Sequence, residues 1–240
     1  MKQIWTITKR EFQAFFDSLM GYILLILFLG FSGFFTWIYG SDIFFIKQAS
    51  LQVFFNIAYW TLFFFIPALT MRLLSEENKT GTIELLLTKP VTNWQVIMGK
   101  FLAALILIIV ALVLTLPYYF TVSSLGNIDN GQVFSGYFAL ILFSGMYIAI
   151  GLYTSSVTNN QIVSYLLTLF IGIFFQIIFG MLSSGFPGFI GEVLNYLSVS
   201  THFESMIRGV LDSRDILYFL IFIFLGLILS EHMLIKKRYA

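Results

Sequence analysis

The sequence predicts an all-α integral membrane protein, and two observations carry the prediction. Of its 240 residues 59% are hydrophobic and only 10% charged, far below the roughly 25% charged residues of a soluble domain. The apolar residues also fall in runs of about 20, the length that crosses a hydrocarbon core about 30 Å thick at about 1.5 Å per residue. Six such runs are read at 19–39, 53–73, 101–122, 135–155, 162–182 and 216–235.

Residues 1–18 precede the first run. There Ile4, Ile7, Phe12, Phe15 and Phe16 fall near helical spacing with Lys2, Lys9, Arg10 and Asp17 interspersed, which predicts an amphipathic helix on the membrane surface. The first run is longer than the apolar core of a cleaved signal and no Ala-x-Ala site follows, so it is expected to stay in the membrane. Lys2, Lys9, Arg10, Arg72, Lys79, Lys89, Lys100, Lys236, Lys237 and Arg238 fall on one side of the alternating spans, and only Lys47, Arg208 and Arg214 on the other. Basic flanks are retained inside, so both termini and the loop between spans two and three are expected in the cytoplasm, with the cytoplasmic (inner) membrane as the location. Trp37 reads as an interfacial anchor. Pro67 and Pro117 fall inside spans two and three and predict kinks.

Composition also excludes functions. A net charge of +1 offers nucleic acid no attracting field. The absence of cysteine removes disulfides, thiolate metal sites and a Cys nucleophile, and His202 and His232 are too few and too far apart in sequence to suggest a metal cluster. The central parts of the spans lack the Asp, Glu or His that proton-coupled carriers place there. Gln176, the most polar mid-span residue, reads as an interhelical hydrogen bond before a substrate contact. Gly30-Phe31-Ser32-Gly33 together with His232 invites an intramembrane serine protease. Ser32, however, lies roughly 20 Å deep whereas His232 sits at a span end, too far for the hydrogen bond a catalytic pair needs. Gly30 and Gly33 are expected to allow close helix packing. Met98-Gly99-Lys100-Phe101 lacks the earlier Gly and the following Ser or Thr of a phosphate-binding loop, so no nucleotide site and no catalytic residue is expected. Asn78-Lys79-Thr80 fits a glycosylation acceptor but lies on the expected cytoplasmic side.

Two loops carry more. Between spans two and three, Gly81 is expected to end the helix extending from span two. Thr82 then caps a short helix through Leu87 that Lys89 and Pro90 terminate, and Thr92 or Asn93 caps the helix leading through Gly99 into span three. Leu85, Leu86 and Leu87 either rest on the bilayer or dock into a groove on a soluble partner, with Glu84 and Lys89 setting register. Between spans five and six, residues 183–215 hold Gly185, Pro187, Gly188 and Gly191 and then a stretch too short to span. A structureless connection of that length is rare, so short re-entrant or surface helices are expected.

In this loop and this topology, Glu76-Glu77, Gly81-Thr82-x-Glu84, Leu86, Pro90-Val91 and Gly99-Lys100 resemble the signature of the ABC-2 type permeases, the membrane subunits of type V ABC transporters. The resemblance covers the chain and implies one transmembrane domain over residues 1–240. It implies a coupling helix at Thr82 to Thr88 that faces a cytoplasmic ATP-binding subunit, with Glu76, Glu77, Gly81, Thr82, Glu84, Leu85, Leu86, Thr88, Lys89 and Pro90 as the coupling residues. A second permease, identical or related, would stand alongside, with substrate contacts on spans one, two and five. ATP and magnesium would belong to the partner, and this chain would bind no cofactor. The resemblance also implies an external re-entrant region with Gly188, His202, Phe203, Glu204, Arg208 and Gly209, in which the pattern His202-Phe203-Glu204 and Arg208-Gly209 looks closest to the gliding-motility-associated permeases of Bacteroidetes. The function so implied is a permease subunit of an ATP-driven transporter, and the alternative is a non-transporting scaffold of a motility or secretion machine.

Overall fold

The computed structural model describes residues 2–38, 49–82 and 91–239, with side chains as far as Lys236. These residues are all-α, and six of the helices are long and apolar enough to cross a membrane. Helix α1 (Lys2–Asp17) turns through Leu19, in the left-handed region at φ 60°, into α2 (Met20–Trp37). Helix α3 (Gln52–Thr70) leads through a short turn to α4 (Ser75–Thr80). The third span is α5 (Asn93–Val113) followed by α6 (Leu116–Leu125), and the fourth is α7 (Asn130–Val157). Span five consists of α8 (Gln161–Ile173), a π-helical segment (Phe174–Ile178) and α9 (Phe179–Gly185). Two short helices, α10 (Phe189–Leu197) and α11 (Val199–Ile207), precede the last span, α12 (Ser213–Tyr239).

Helix α7 is the axis of the molecule. Its segment from 142 to 152 is buried at every position, as befits a helix that is apolar all round. Helices α3, α5, α8, α11 and α12 all pack on it. The backbones of α12 and α7 come close at Gly226, where a Cβ would lie 2.9 Å from both the Cβ and the carbonyl carbon of Ala149. Only a hydrogen fits there, and that lets the two backbones meet. The helix starts follow local chemistry. Thr92 and Gln95 form a reciprocal capping box at α5, Asp129 accepts from Gly131 N and Gln132 N at α7, and Asn160 accepts from Ile162 N at α8. These bonds satisfy amides that have no partner within the helix.

Two expectations change. Pro117 does not kink a continuous helix: the chain breaks after α5, and Pro117 lies in the first turn of α6, where its missing N–H costs no hydrogen bond. Pro67 does lie inside α3. Helix α1 is amphipathic, as expected, and Ile4 and Ile7 of its apolar side rest on Gly99 of α5, where a Cβ would come 2.5 Å from Ile7 Cγ2, while Trp5 stays exposed. Gln176 makes no interhelical side-chain bond among the described residues. Both amide atoms are buried without a partner, and it is the main-chain carbonyl of Gln176 that accepts, from Ser200 Oγ at 2.7 Å. Trp37 packs edge to face on Tyr118, 5.7 Å between centroids. Ser32 is buried and its hydroxyl donates to Leu29 O at 3.4 Å.

Candidate functional site

The root of the loop between α4 and α5 is built from four helices. The turn from Met71 to Leu74 interrupts the helical ladder and strands the amides that follow it. Ser155, near the end of α7, repairs the break: its Oγ accepts from Leu74 N and Ser75 N at 3.0 Å each and donates to Met71 O at 3.0 Å. One turn along α4, Asn78 Nδ2 donates toward Ser155 O, Ser156 O and Thr158 O at 3.4, 3.5 and 3.4 Å. Those carbonyls lie at the C-terminus of α7 and lack intrahelical donors, so α4 is pinned to α7 by groups that each needed a partner.

A charge cluster joins the same root to α1 and α5. Lys100 is 1% exposed, and its Nζ lies 2.8 Å from Glu77 Oε1 and 3.2 Å from Glu11 Oε2. A buried ammonium is tolerated only when paired, and here one helix supplies the cation while two others supply carboxylates. Arg10 closes the cluster on the solvent side, 2.5 Å from Glu11 and 3.9 Å from Glu77. Burial by itself raises the Glu11 carboxyl, but Lys100 and Arg10 together overcome it and hold the group below its ordinary value. Arg72 and Glu76 pair at 3.3 Å across one turn, partly in solvent. Glu11, Arg72, Glu76, Glu77 and Lys100 line a cavity of about 320 Å³.

Gly81 then stops α4 at φ 70°, a conformation that favours glycine. The Thr80 and Thr82 hydroxyls meet at 2.9 Å. Helix α5 starts at the Thr92 capping box. Residues 83–90, with Glu84, Leu85, Leu86, Leu87, Thr88, Lys89 and Pro90, lie outside the described residues. The fixed points on either side of them are a helix pinned on three neighbours and a helix with a boxed start.

At the opposite end of the bundle, α11 is clamped by its own aromatic and polar residues. His202 Nδ1 lies 2.6 Å from Asp215 Oδ1 of α12 and its Nε2 2.8 Å from Tyr196 O of α10, with the ring stacked on Tyr218 at 4.1 Å. Phe203 stacks on Tyr59 of α3 at 4.2 Å. Gly209, at φ 94°, turns the chain against Gln132, whose Nε2 donates to Ile207 O at 3.0 Å. Gly188 starts α10 at φ 80°. Glu204 and Arg208 pair with each other at 3.2 Å on the surface.

A family profile described as ABC-2 family transporter protein matches residues 5–230. The chain belongs to this family. No curated protein matches it. ABC-2 membrane domains are the transmembrane components of transporters that work with a separate ATP-binding subunit, and are not themselves ATPases. In this ABC-2 chain the residues singled out from sequence between the last two spans fall into two sets. His202, Phe203 and Gly209 join helices together, whereas the Glu204 and Arg208 side chains pair with each other on the surface.

Sequence reasoning missed four residues at the loop root: Glu11, Asn78 as a helix pin, Ser155, and Lys100 as a buried cation. For two of them a signal was present. Ile4, Ile7, Glu11 and Phe15 share one helical stripe, as do Ile97, Lys100 and Ala104, and a charge on an otherwise apolar stripe marks a buried ion awaiting a partner. Ser155 carried no signal, because a serine hydroxyl in a span has many ordinary uses.

Proposed function

We propose that this chain is the permease subunit of an ATP-driven transporter, and that its loop at Thr82 to Thr88 docks on a cytoplasmic ATP-binding subunit. The observation that carries the reading is the mounting of that loop. A displacement applied to it enters α4, which is bonded directly to α7 and joined through Lys100 to α5 and α1. Glu84, Leu85, Leu86, Thr88, Lys89 and Pro90 would then meet the partner, while Glu77 and Glu76 anchor the lever and Gly81 and Thr82 form its joint. ATP and magnesium reside in the partner. Both termini lie in the cytoplasm, and a second permease, identical or related, completes the pathway across the cytoplasmic membrane. An apolar groove of about 510 Å³ on the outer face of α2 and α3, lined by Phe31, Phe35, Asn56, Trp60 and Phe64, supports substrate contacts on spans one and two. The resemblance around His202-Phe203-Glu204 and Arg208-Gly209 supports a place in a motility-linked transporter.

The test is reconstitution of the chain with its ATP-binding subunit in lipid. ATP hydrolysis that depends on the loop is expected, and Lys100→Met is expected to leave the partner bound while weakening the link between hydrolysis and transport. A complex that assembles normally yet neither stimulates hydrolysis nor moves any solute overturns the transporter in favour of a scaffold.

A further inference from the structure

Span five buries the row Ser164, Thr168, Gly172 and Gln176 at four-residue intervals, one helical face. Toward the loop end this face is fully bonded. Thr154 of α7 meets Thr168 Oγ1 at 2.6 Å and Ser164 Oγ at 3.4 Å, and Thr168 donates to Ser164 O at 2.8 Å. At Gly172 the hydroxyl of Tyr147 fills the space a Cβ would need. One turn on is Gln176, and one further turn on is Gly180, where a Cβ would lie 3.3 Å from Ser198 Oγ.

In this second half the bonding stops. Tyr147 is 1%, Gln176 4% and Ser198 0% exposed. Yet the Tyr147 hydroxyl, both amide atoms of Gln176 and Ser198 Oγ are buried and have no partner among the described residues. The π-helical segment falls at the same place. A π turn inserts a residue and upsets the regular ladder, and the carbonyl of Gln176 is bonded instead by Ser200 Oγ at 2.7 Å, itself 3.3 Å from the Tyr59 hydroxyl. Buried polar groups are almost always bonded to protein or to ordered water.

We propose that Tyr147, Gln176 and Ser198 hold ordered water molecules along the buried face of the second half of span five, where it meets α7 and the junction of α10 with α11. The chemistry selects the ligand. An amide and two hydroxyls both donate and accept, which matches water. They offer no net charge to pair with an ion, and an apolar ligand would leave every one of them unmet. Bridging waters exchange partners more readily than direct side-chain bonds do. The hydrated half of span five is therefore held less rigidly than the half that Thr154, Ser164 and Thr168 bond directly. The inference rests on packing alone and is independent of the transporter reading.

The test is hydroxyl-radical footprinting of the full chain in lipid nanodiscs, with radicals generated from water in place, so that side chains beside bound water oxidise even when shielded from bulk. Tyr147 is expected to oxidise several-fold faster than Phe63 and Phe143, the buried rings beside it, after correction for intrinsic reactivity. Gln176→Met is expected to bring Tyr147 down toward their level. Oxidation of Tyr147 no faster than Phe63 and Phe143 in the unaltered protein overturns the proposal. Melting gives a second readout: a dry seam loses only an unpaired amide in Gln176→Met and melts higher, which also overturns it, whereas a hydrated seam gains no stability. If the variant does not fold, the footprint of the unaltered protein still decides.

Discussion

Lys100 sits where its sequence neighbours are apolar and its spatial neighbours are Glu11 and Glu77. Removing the ammonium leaves two carboxylates facing each other in a mostly buried site. Lys100→Met is expected to destabilise the protein by about 3–5 kcal/mol, the cost of breaking a buried pair from one side. Arg72→Met breaks only a partly solvated pair and is expected to cost less than about 1 kcal/mol. Thermal melting in detergent or nanodiscs separates the two. The same cluster sets an acid limb. Because the folded state holds the Glu11 carboxyl below its ordinary value of 4.5, its contribution is fully present above that value and is lost as the pH falls through the lowered one. The melting temperature of Glu11→Gln is therefore expected to depend less steeply on pH across that window than that of the unaltered protein.

Among the elements, α4 shows how a six-residue helix can be fixed firmly. Too short to persist alone, it is held by Ser155 at its first amides, by Asn78 on α7 and by Glu77 on α5. Ser155→Ala strands the amides of Leu74 and Ser75, at about 1–3 kcal/mol for each buried unsatisfied group. Faster amide exchange over residues 74–80, with the spans unchanged, is the expected result. At the opposite end α11 depends on His202. Replacing it with Ala leaves Asp215 buried without its partner and removes the ring stacked on Tyr218. Limited proteolysis at Arg208 and Arg214 is expected to accelerate. The contact of α12 with α7 is less forgiving, since the atoms a side chain at Gly226 would strike belong partly to the Ala149 backbone. Gly226→Leu is expected to abolish the folded, monodisperse form on size-exclusion chromatography, because two backbones would have to separate.

For the molecule as a whole, α7 is the common support, and both the α4 loop root and the α11 cluster are bonded to it or to its direct neighbours. At this scale the expected behaviour concerns assembly. Leu86→Asp is expected to lose the ATP-binding subunit in co-purification while the permease itself stays folded, whereas Lys100→Met keeps the subunit and loses coupling. Equal retention of partner and coupling in both variants would contradict the proposed route.

The six spans were legible in the sequence because a bilayer imposes a length and an apolar content that a run of residues either meets or does not. So were the stop at Gly81 and the start at Thr92, since both answer to backbone geometry and to amides within a few residues. Charges at Glu11 and Lys100 were visible, but not that they share one site 89 positions apart, nor that Ser155 would splice the turn before α4. A local signal depends on a residue's own neighbours along the chain. The pairing of Glu11, Lys100 and Glu77, the unmet amide of Gln176 and the meeting of Gly226 with Ala149 depend on which helix faces which. That choice is made by packing around α7, and only the tertiary structure records it.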